Sequence, residues 1–183
     1  MPKLQIAVVV GSLRRDSLNL RLSQALVKLA PPDWALTQLR IDDLPLFNQD
    51  EEHTPCEAVT RLKAEVRASQ GLLFVTPEYN RSVPGVLKNA IDHASRPHGD
   101  SAWAGKPAGL MGISLGAIGT AMAQQHLRNV LSCLDMPTLP QPEAYIQLKE
   151  GLFDASGGFG PDSQQVMRTW MDRYVAWVLA HTG

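Results

Sequence analysis

The sequence predicts an α/β domain in which a doubly wound, five-stranded parallel sheet in the order 2-1-3-4-5 carries helices on both faces. Three observations predict it. Short apolar runs alternate with stretches whose apolar residues recur at helical spacing. The first run, Leu4 to Val10, is almost continuously apolar, as parallel strands covered on both faces are. With 183 residues, 44% of them apolar, the chain suits one compact domain spanning 1–183. Right-handed crossovers leave few other topologies.

The elements follow in order. Leu4 to Val10 is apolar except at Gln5 and rich in β-branched residues, which suits a buried strand. Leu18, Leu22, Ala25, Leu26 and Leu29 then stripe a helix that Pro31 and Pro32 end. Ala35 to Ile41 reads as the second strand, and residues 42 to 55, with Pro45 and Pro55, as a polar loop. Val59, Leu62 and Val66 mark the second helix, Gly71 stops it, and Leu72 to Thr76 is the third strand. Pro84 falls at a first helical position, ahead of the stripe Val86, Leu87, Ala90, Ile91 and Ala94. Pro107 to Ser114 is a fourth strand built from small residues, followed by a helix marked by Leu127, Val130, Leu131 and Leu134. A short fifth strand lies between Thr138 and Leu148. Residues 149 to 162 read as a Gly-rich loop, and Val166, Met167, Trp170, Met171, Tyr174, Trp177 and Val178 form the last helix.

Composition narrows the function. Charged residues make up 19% and the net charge is -1, with the signs interspersed, so neither disorder nor a basic nucleic-acid stripe is expected. Cys56 and Cys133 form no CxxC pair, and the five histidines give no HExxH and no zinc set. They read as reduced thiols and ordinary histidines of a protein with no metal. No apolar run has the length of a membrane span. Met1-Pro2-Lys3 leads straight into the first strand without a cleavage site, which predicts no signal peptide and a cytoplasmic protein.

Doubly wound sheets bind ligands beyond the carboxyl ends of their strands, so the residues after strands 1, 3 and 4 are the candidates. After strand 1 comes Gly11-Ser12-Leu13-Arg14-Arg15-Asp16-Ser17-Leu18-Asn19. A helix start offers free N–H groups and the positive end of a dipole. Ser12, Ser17 and Asn19 add short donors, and Arg14 a charged fork. GxGxxG and Walker A are both absent, so the site suits a single phosphate. The plainer reading is that Ser17 or Asp16 caps the helix.

After strand 3, Thr76-Pro77-Glu78-Tyr79-Asn80-Arg81-Ser82-Val83-Pro84-Gly85 is a loop whose freedom two prolines limit, and it can hold a planar heterocycle. Backbone N–H groups from Glu78 to Ser82 can meet ring oxygens and nitrogens, Tyr79 can pack on the ring, and Asn80 or Ser82 can bond its edge. A turn that merely starts a helix is the rival reading. After strand 4, Gly112-Ile113-Ser114-Leu115-Gly116 fits GxSxG, the nucleophile elbow of serine hydrolases. A triad then needs an acid, with Asp135, Glu143, Asp154 and Asp162 available, followed by His181; His126 comes too soon. In the simpler reading, Gly112, Gly116 and Gly119 let the backbone approach a flat ring while Ser114 bonds its edge.

The segments GSLRRDSLN at 11–19, PEYNRSVPGVLKNAID at 77–92 and SLGAIGT at 114–120 together resemble the NAD(P)H-dependent FMN reductases, a family that includes bacterial quinone, chromate and azo-dye reductases. The resemblance implies a flavodoxin-like fold, bound FMN, NADPH or NADH as hydride donor, and a homodimer or homotetramer. It implies that Ser12, Arg14, Ser17 and Asn19 surround the FMN phosphate. Pro77, Glu78, Tyr79, Asn80 and Ser82 would line the isoalloxazine, with Ser114 and Gly116 at its other edge. Leu115 stands where many members carry Pro. The implied activity is ping-pong reduction of quinones, free flavin, chromate or azo compounds by chemistry that belongs to the flavin, with no catalytic side chain. A flavodoxin-type electron carrier shares the fold, but such carriers are strongly acidic and their phosphate loops usually lack the Arg found here at 14.

Overall fold

In the computed structural model, which describes residues 4–182, the apolar runs form a five-stranded sheet in the order β2-β1-β3-β4-β5. The strands are β1 (Leu4–Val10), β2 (Trp34–Gln38), β3 (Gly71–Val75), β4 (Ala108–Ser114) and β5 (Tyr145–Gln147), and every pairing is parallel. The helices are α1 (Leu18–Val27), α2 (Glu57–Ala68), α3 (Gly85–Ala94), α4 (Ala121–Cys133) and α5 (Pro161–His181). This is the predicted class and strand order. The reading of Met1-Pro2-Lys3 lies outside the described residues.

The period-2 geometry of strands explains the uniform runs. In β1, Ile6, Val8 and Val10 enter the core formed with α1 and α5, whereas Ala7 and Val9 enter the core shared with α2, α3 and α4. Leu72 and Phe74 of β3 face the second core, Leu73 and Val75 the first. Each such side chain contributes roughly 1.5–3 kcal/mol when buried. Both faces are thereby apolar, and the polar loops are left to the sheet's two ends.

Several boundaries differ from the sequence reading. β2 stops at Gln38 rather than Ile41, although the Leu39 amide still donates to the Val8 carbonyl at 2.9 Å. Beyond it Arg40 and Arg61 gather Asp42 and Asp43. Arg61 grips Asp43 through two N–H groups at 2.7 and 2.9 Å and holds its carboxyl down at about 2. Residues Gln49–Glu51 of the predicted loop form a 3-10 turn. Gly71 opens β3 instead of stopping α2, because a Cβ there would crowd Val178 at 3.0 Å and Ile6 at 3.1 Å. Pro84 is the extended cap before α3, not its first helical residue. It is Pro161 that occupies the first helical position, and it starts α5 within the predicted loop. Val166, placed in the buried stripe by spacing, is 63% exposed.

No described helix is long and apolar enough to cross a membrane, and no described cluster of His, Cys, Asp and Glu could hold a metal ion. Cys56 and Cys133 are exposed and unpaired.

Candidate functional site

Strand register brings the three candidate loops together. Val10 pairs with Val75 and Val75 with Met111, so β1, β3 and β4 reach the same edge of the sheet in step. The residue after each pairing packs against its neighbour. Gly11 donates to the Val75 carbonyl at 2.9 Å and Thr76 to the Met111 carbonyl at 3.0 Å. A Cβ on Gly112 would overlap the Thr120 hydroxyl and the Thr76 carbonyl. Thr76 and Thr120 are wholly buried. Gly112 therefore serves close packing at the strand end rather than approach to a ligand. Gly119, at φ 63°, is likewise held against β5, where a Cβ would lie 2.6 Å from the Tyr145 carbonyl carbon. Gly116 alone of the three glycines proposed to meet a ring is exposed.

The loop after β1 is open and electropositive. Arg14 and Arg15 are exposed and form no ion pair among the described residues. The N–H groups of Leu13, Arg15 and Asp16 make no hydrogen bond there either, while that of Arg14 leans on the Ser12 hydroxyl at 3.4 Å. Ser17 is the N-cap of α1, its oxygen accepting from the Leu20 amide at 3.2 Å, so the capping reading is what is observed. The cap leaves the Ser17 O–H proton free to donate. Asn19 is 3% exposed and faces inward. Its Nδ2 donates to the Ile113 carbonyl and its Oδ1 accepts from the Ile113 amide, both at 3.0 Å. That pairing ties the first turn of α1 to the end of β4 and leaves one Nδ2 hydrogen uncommitted.

The loop after β3 is a tight hairpin. Tyr79 and Ser82 exchange backbone bonds of 2.9 and 3.0 Å around Asn80 and Arg81, whose φ angles are 51° and 65°. Two consecutive left-handed residues make it a type I′ turn. The exchange uses the amides of Tyr79 and Ser82, so of the five N–H groups expected to face a ring, those of Glu78, Asn80 and Arg81 are free. The turn is fastened to α4 at both ends. Glu78 Oε2 accepts from the amides of Met122 and Ala123 at 3.0 and 3.2 Å, capping a helix whose own N-cap residue, Thr120, makes no side-chain cap. Ser82 Oγ meets His126 Nδ1 at 3.0 Å. One fastening thus takes the first free amides of α4 and the other a side chain about one turn further along it. Pro77 is half-buried behind the turn, and Tyr79 and Asn80 are exposed on it.

His126, inside α4 and too early in the chain for a hydrolase triad, is the site residue that sequence reasoning misses: its partner Ser82 lies 44 residues away, with no local signal joining them.

After β4, Ser114 Oγ donates to the Gly116 carbonyl at 3.1 Å. The hydrolase reading fails on geometry. His181 ends α5, and Val178, one turn earlier, packs on Gly71 at the start of β3. Ser114 closes β4 at the opposite end of the strands.

Between the first two loops lies an open cleft of about 420 Å³, lined by Gly11, Ser12, Leu13, Arg14, Tyr79 and the start of α3. A larger cleft, about 550 Å³, sits outside α2 and α3, but its cationic side chains Lys63 and Arg96 are already paired, with Asp100 and Glu52, each at 2.7 Å. The smaller one has an uncommitted guanidinium, that of Arg14, beside free N–H donors ahead of α1, and the exposed ring of Tyr79. That donor set fits a phosphate ester of a planar heterocycle, the chemistry of a flavin mononucleotide.

Fold and cleft together define a flavin-nucleotide-binding α/β protein of the flavodoxin-like kind. Residues 4–151 match the family described as NADPH-dependent FMN reductase. A 2-hydroxy-1,4-benzoquinone reductase of Burkholderia sp. is 52% identical over 96% of each chain. A quinone reductase of Pseudomonas putida is 49% identical over 94% of each. Among solved structures, the flavoenzyme NAD(P)H:(acceptor) oxidoreductase FerB of Paracoccus denitrificans superposes with a TM-score of 0.93 at 42% identity, over 97% of this chain and 98% of its own. A Pseudomonas aeruginosa flavodoxin, 17% identical with a TM-score of 0.58, shares the fold. The chain belongs to the NADPH-dependent FMN reductase family and is an oxidoreductase that uses FMN and NAD(P)H.

The Glu78 cap gives a testable consequence. Replacing Glu78 by Ala leaves two N–H groups of α4 without their acceptor and lowers the unfolding free energy of the apoprotein by about 1–2 kcal/mol. Glu78→Gln keeps an acceptor oxygen and loses less than half of that. Urea denaturation of the three proteins measures it; equal losses in Ala and Gln would contradict a capping role.

Proposed function

We propose that this protein reduces quinones with NAD(P)H by ping-pong turnover at the cleft between the loops after β1 and β3. One observation carries the proposal: Ser12, Leu13 and Arg14, with the uncommitted Leu13 N–H and Arg14 guanidinium, line the same open cleft as the exposed Tyr79. FMN bound there supplies hydride acceptance from NAD(P)H and two-electron delivery to the acceptor. The chain's part is to hold and orient. Ser12, Arg14, the free N–H groups beside them and the Ser17 hydroxyl hold the phosphate, while Asn19 fixes the helix start that presents them. Pro77, Tyr79 and the free amides of Glu78 and Asn80 support the ring, Glu78 and Ser82 lock the turn on α4, and Ser114 and Gly116 border the far edge.

Donor and acceptor share one cleft, so each must leave before the other enters. A quinone collecting a hydride and a proton becomes a hydroquinone, and at so open a site water can supply the proton. The relatives' names support quinones as the acceptor class. An electron carrier needs a strongly charged face to steer toward protein partners, and this chain has a net charge of -1. Free flavin, chromate and azo compounds are further small acceptors that an open cleft admits.

The assembly is a homodimer or homotetramer. Exposed Leu115, Ile118 and Met122 beside the site support an apolar contact between copies. Two exposed, unpaired cysteines suit the reducing cytoplasm. Light scattering on the FMN-loaded protein should give a multiple of the 20.0 kDa chain mass; the mass of one chain would contradict it.

The direct test of function is anaerobic. NADPH or NADH mixed with the FMN-loaded protein should bleach the flavin absorbance within seconds, and 1,4-benzoquinone should restore it. If neither nucleotide bleaches it within minutes, while dithionite yields a long-lived one-electron form, the protein is a carrier.

A further inference from the structure

We propose that the groove between the loops after β1 and β2 is a second anion site, one that holds the 2′-phosphate of NADPH, with Arg15 as the residue that favours NADPH over NADH. The inference rests on the reading above that NAD(P)H delivers hydride at the cleft between the loops after β1 and β3. It starts from strand register. Val8 of β1 pairs with Gln38 of β2, and the Leu39 amide donates to the Val8 carbonyl at 2.9 Å, so the two strands end at the same edge of the sheet. An open groove of about 370 Å³ lies between the residues that follow them. Ser12, Leu13 and Arg14 line both this groove and the cleft, so the loop after β1 is a wall common to the two. Arg15, Gln38, Arg40 and Asp42 line the groove and not the cleft.

The charges of the groove are out of balance. Three arginines, Arg14, Arg15 and Arg40, stand against one carboxylate, Asp42. Asp42 is already bonded by Arg40, whose Nε donates to it at 3.0 Å. Asp43, next in the chain, is gripped by Arg61 and stands 3.6 Å from Arg40. Arg15 has no ion pair and no side-chain hydrogen bond among the described residues, and neither has the exposed Gln38 carboxamide. The Arg15 backbone N–H belongs to the phosphate loop, but of the two arginines Arg14 alone lines the cleft. Like charges gathered around one groove repel each other, and a dianion relieves them. A phosphate monoester carries about 1.5 to 2 negative charges at neutral pH. Its oxygens also match the fork of a guanidinium.

The hydride donor says which monoester this is. With its nicotinamide over the flavin ring, NADPH is longer than FMN, and its adenosine end has to pass out of the cleft. The groove opens on the far side of the wall, and Leu13, exposed on that wall, gives the adenosine an apolar surface to lie on. NADPH and NADH differ in one group, the phosphate on the 2′ oxygen of that adenosine. A free 2′-hydroxyl would need an acceptor here, and the one carboxylate is taken by Arg40. The groove therefore suits the phosphate better than the hydroxyl. The 2′-phosphate is remote from the reacting carbon and is held alike before and during hydride transfer. The preference is accordingly one of affinity, not of limiting rate.

The test uses FMN-loaded wild type, Arg15→Ala and Arg15→Lys, mixed anaerobically with NADPH or NADH. The concentration dependence of flavin bleaching gives an apparent Kd and a limiting rate for each nucleotide. Wild type should bind NADPH about tenfold or more tightly than NADH, at similar limiting rates. That ratio should collapse toward one in Arg15→Ala, recover in part in Arg15→Lys, and narrow in wild type as salt rises. Calorimetry supplies a readout independent of turnover: 2′,5′-ADP should bind FMN-loaded wild type about tenfold more tightly than 5′-AMP, and Arg15→Ala should close the gap. If Arg15→Ala loses FMN, Arg40→Gln, outside the phosphate loop, carries the same contrasts. Equal Kd values for the two nucleotides in wild type, a preference that survives in the variants, or one confined to the limiting rate overturns the assignment. A loss in Arg15→Ala that falls equally on NADPH and NADH also overturns it, and gives Arg15 to the pyrophosphate that both share. If neither nucleotide bleaches the flavin while 2′,5′-ADP binds as expected, the reading of the cleft fails and the ribose-phosphate site stands.

Discussion

The carboxamide of Asn19 pairs with both polar groups of Ile113, and the geometry of the cleft hangs from that pair. A helix start can present N–H groups to a phosphate only if it is held in place, and α1 is held by a buried two-point bond to the end of β4. Each such bond contributes about 1 kcal/mol net, but breaking one strands a buried polar group at a cost of about 1–3 kcal/mol. The side chain is therefore more valuable as a clamp than as an exposed ligand. It joins the loop after β1 to the strand that leads into the loop after β4.

The same edge is closed by contacts that leave no room for movement. Gly11, Thr76, Gly112 and Thr120 interlock where the strands end, so the loops begin from a solid floor. α4 then reaches back: its first amides take the Glu78 carboxylate, and one turn later His126 takes Ser82. The turn that carries Tyr79 and Arg81 is consequently fixed from below by β3 and from the side by α4. Rigid support of this kind lets a flat cofactor be gripped by an otherwise exposed loop, with donors that need no rearrangement.

Much of the fold was legible because its signals are local. Uniform runs such as Leu4–Val10 identify strands covered on both faces, and the stripes beginning at Leu18 and Val59 identify the helices between them. The positions of the candidate loops followed from topology alone. What sequence could not reveal was long-range partnership. Glu78 looks like one more loop carboxylate until α4 lies beside it, and Gly112 looks like a residue for ligand approach until Thr120 fills the space above it. Asn19 looks like a donor to phosphate because its neighbours in sequence are donors, whereas its own partner lies 94 residues away. Pro84 and Gly71 were shifted by one position for a similar reason: the local rule names the punctuation, while the packing of α5 and the hairpin decides on which side of it the helix or strand begins.

The central claim is that residues 12–17 form a dedicated dianion site at the start of α1. Phosphorus NMR of the FMN-loaded protein across pH tests it most directly. A free phosphate monoester takes up its second proton near a pKa of about 6. Several N–H donors and a guanidinium favour the dianion and move that protonation well below this value. The account predicts a single protein-bound phosphorus resonance whose shift stays constant from about pH 5 to 9. A bound resonance that titrates with a midpoint near 6, as free FMN does, would show the phosphate standing in solvent and would contradict the account.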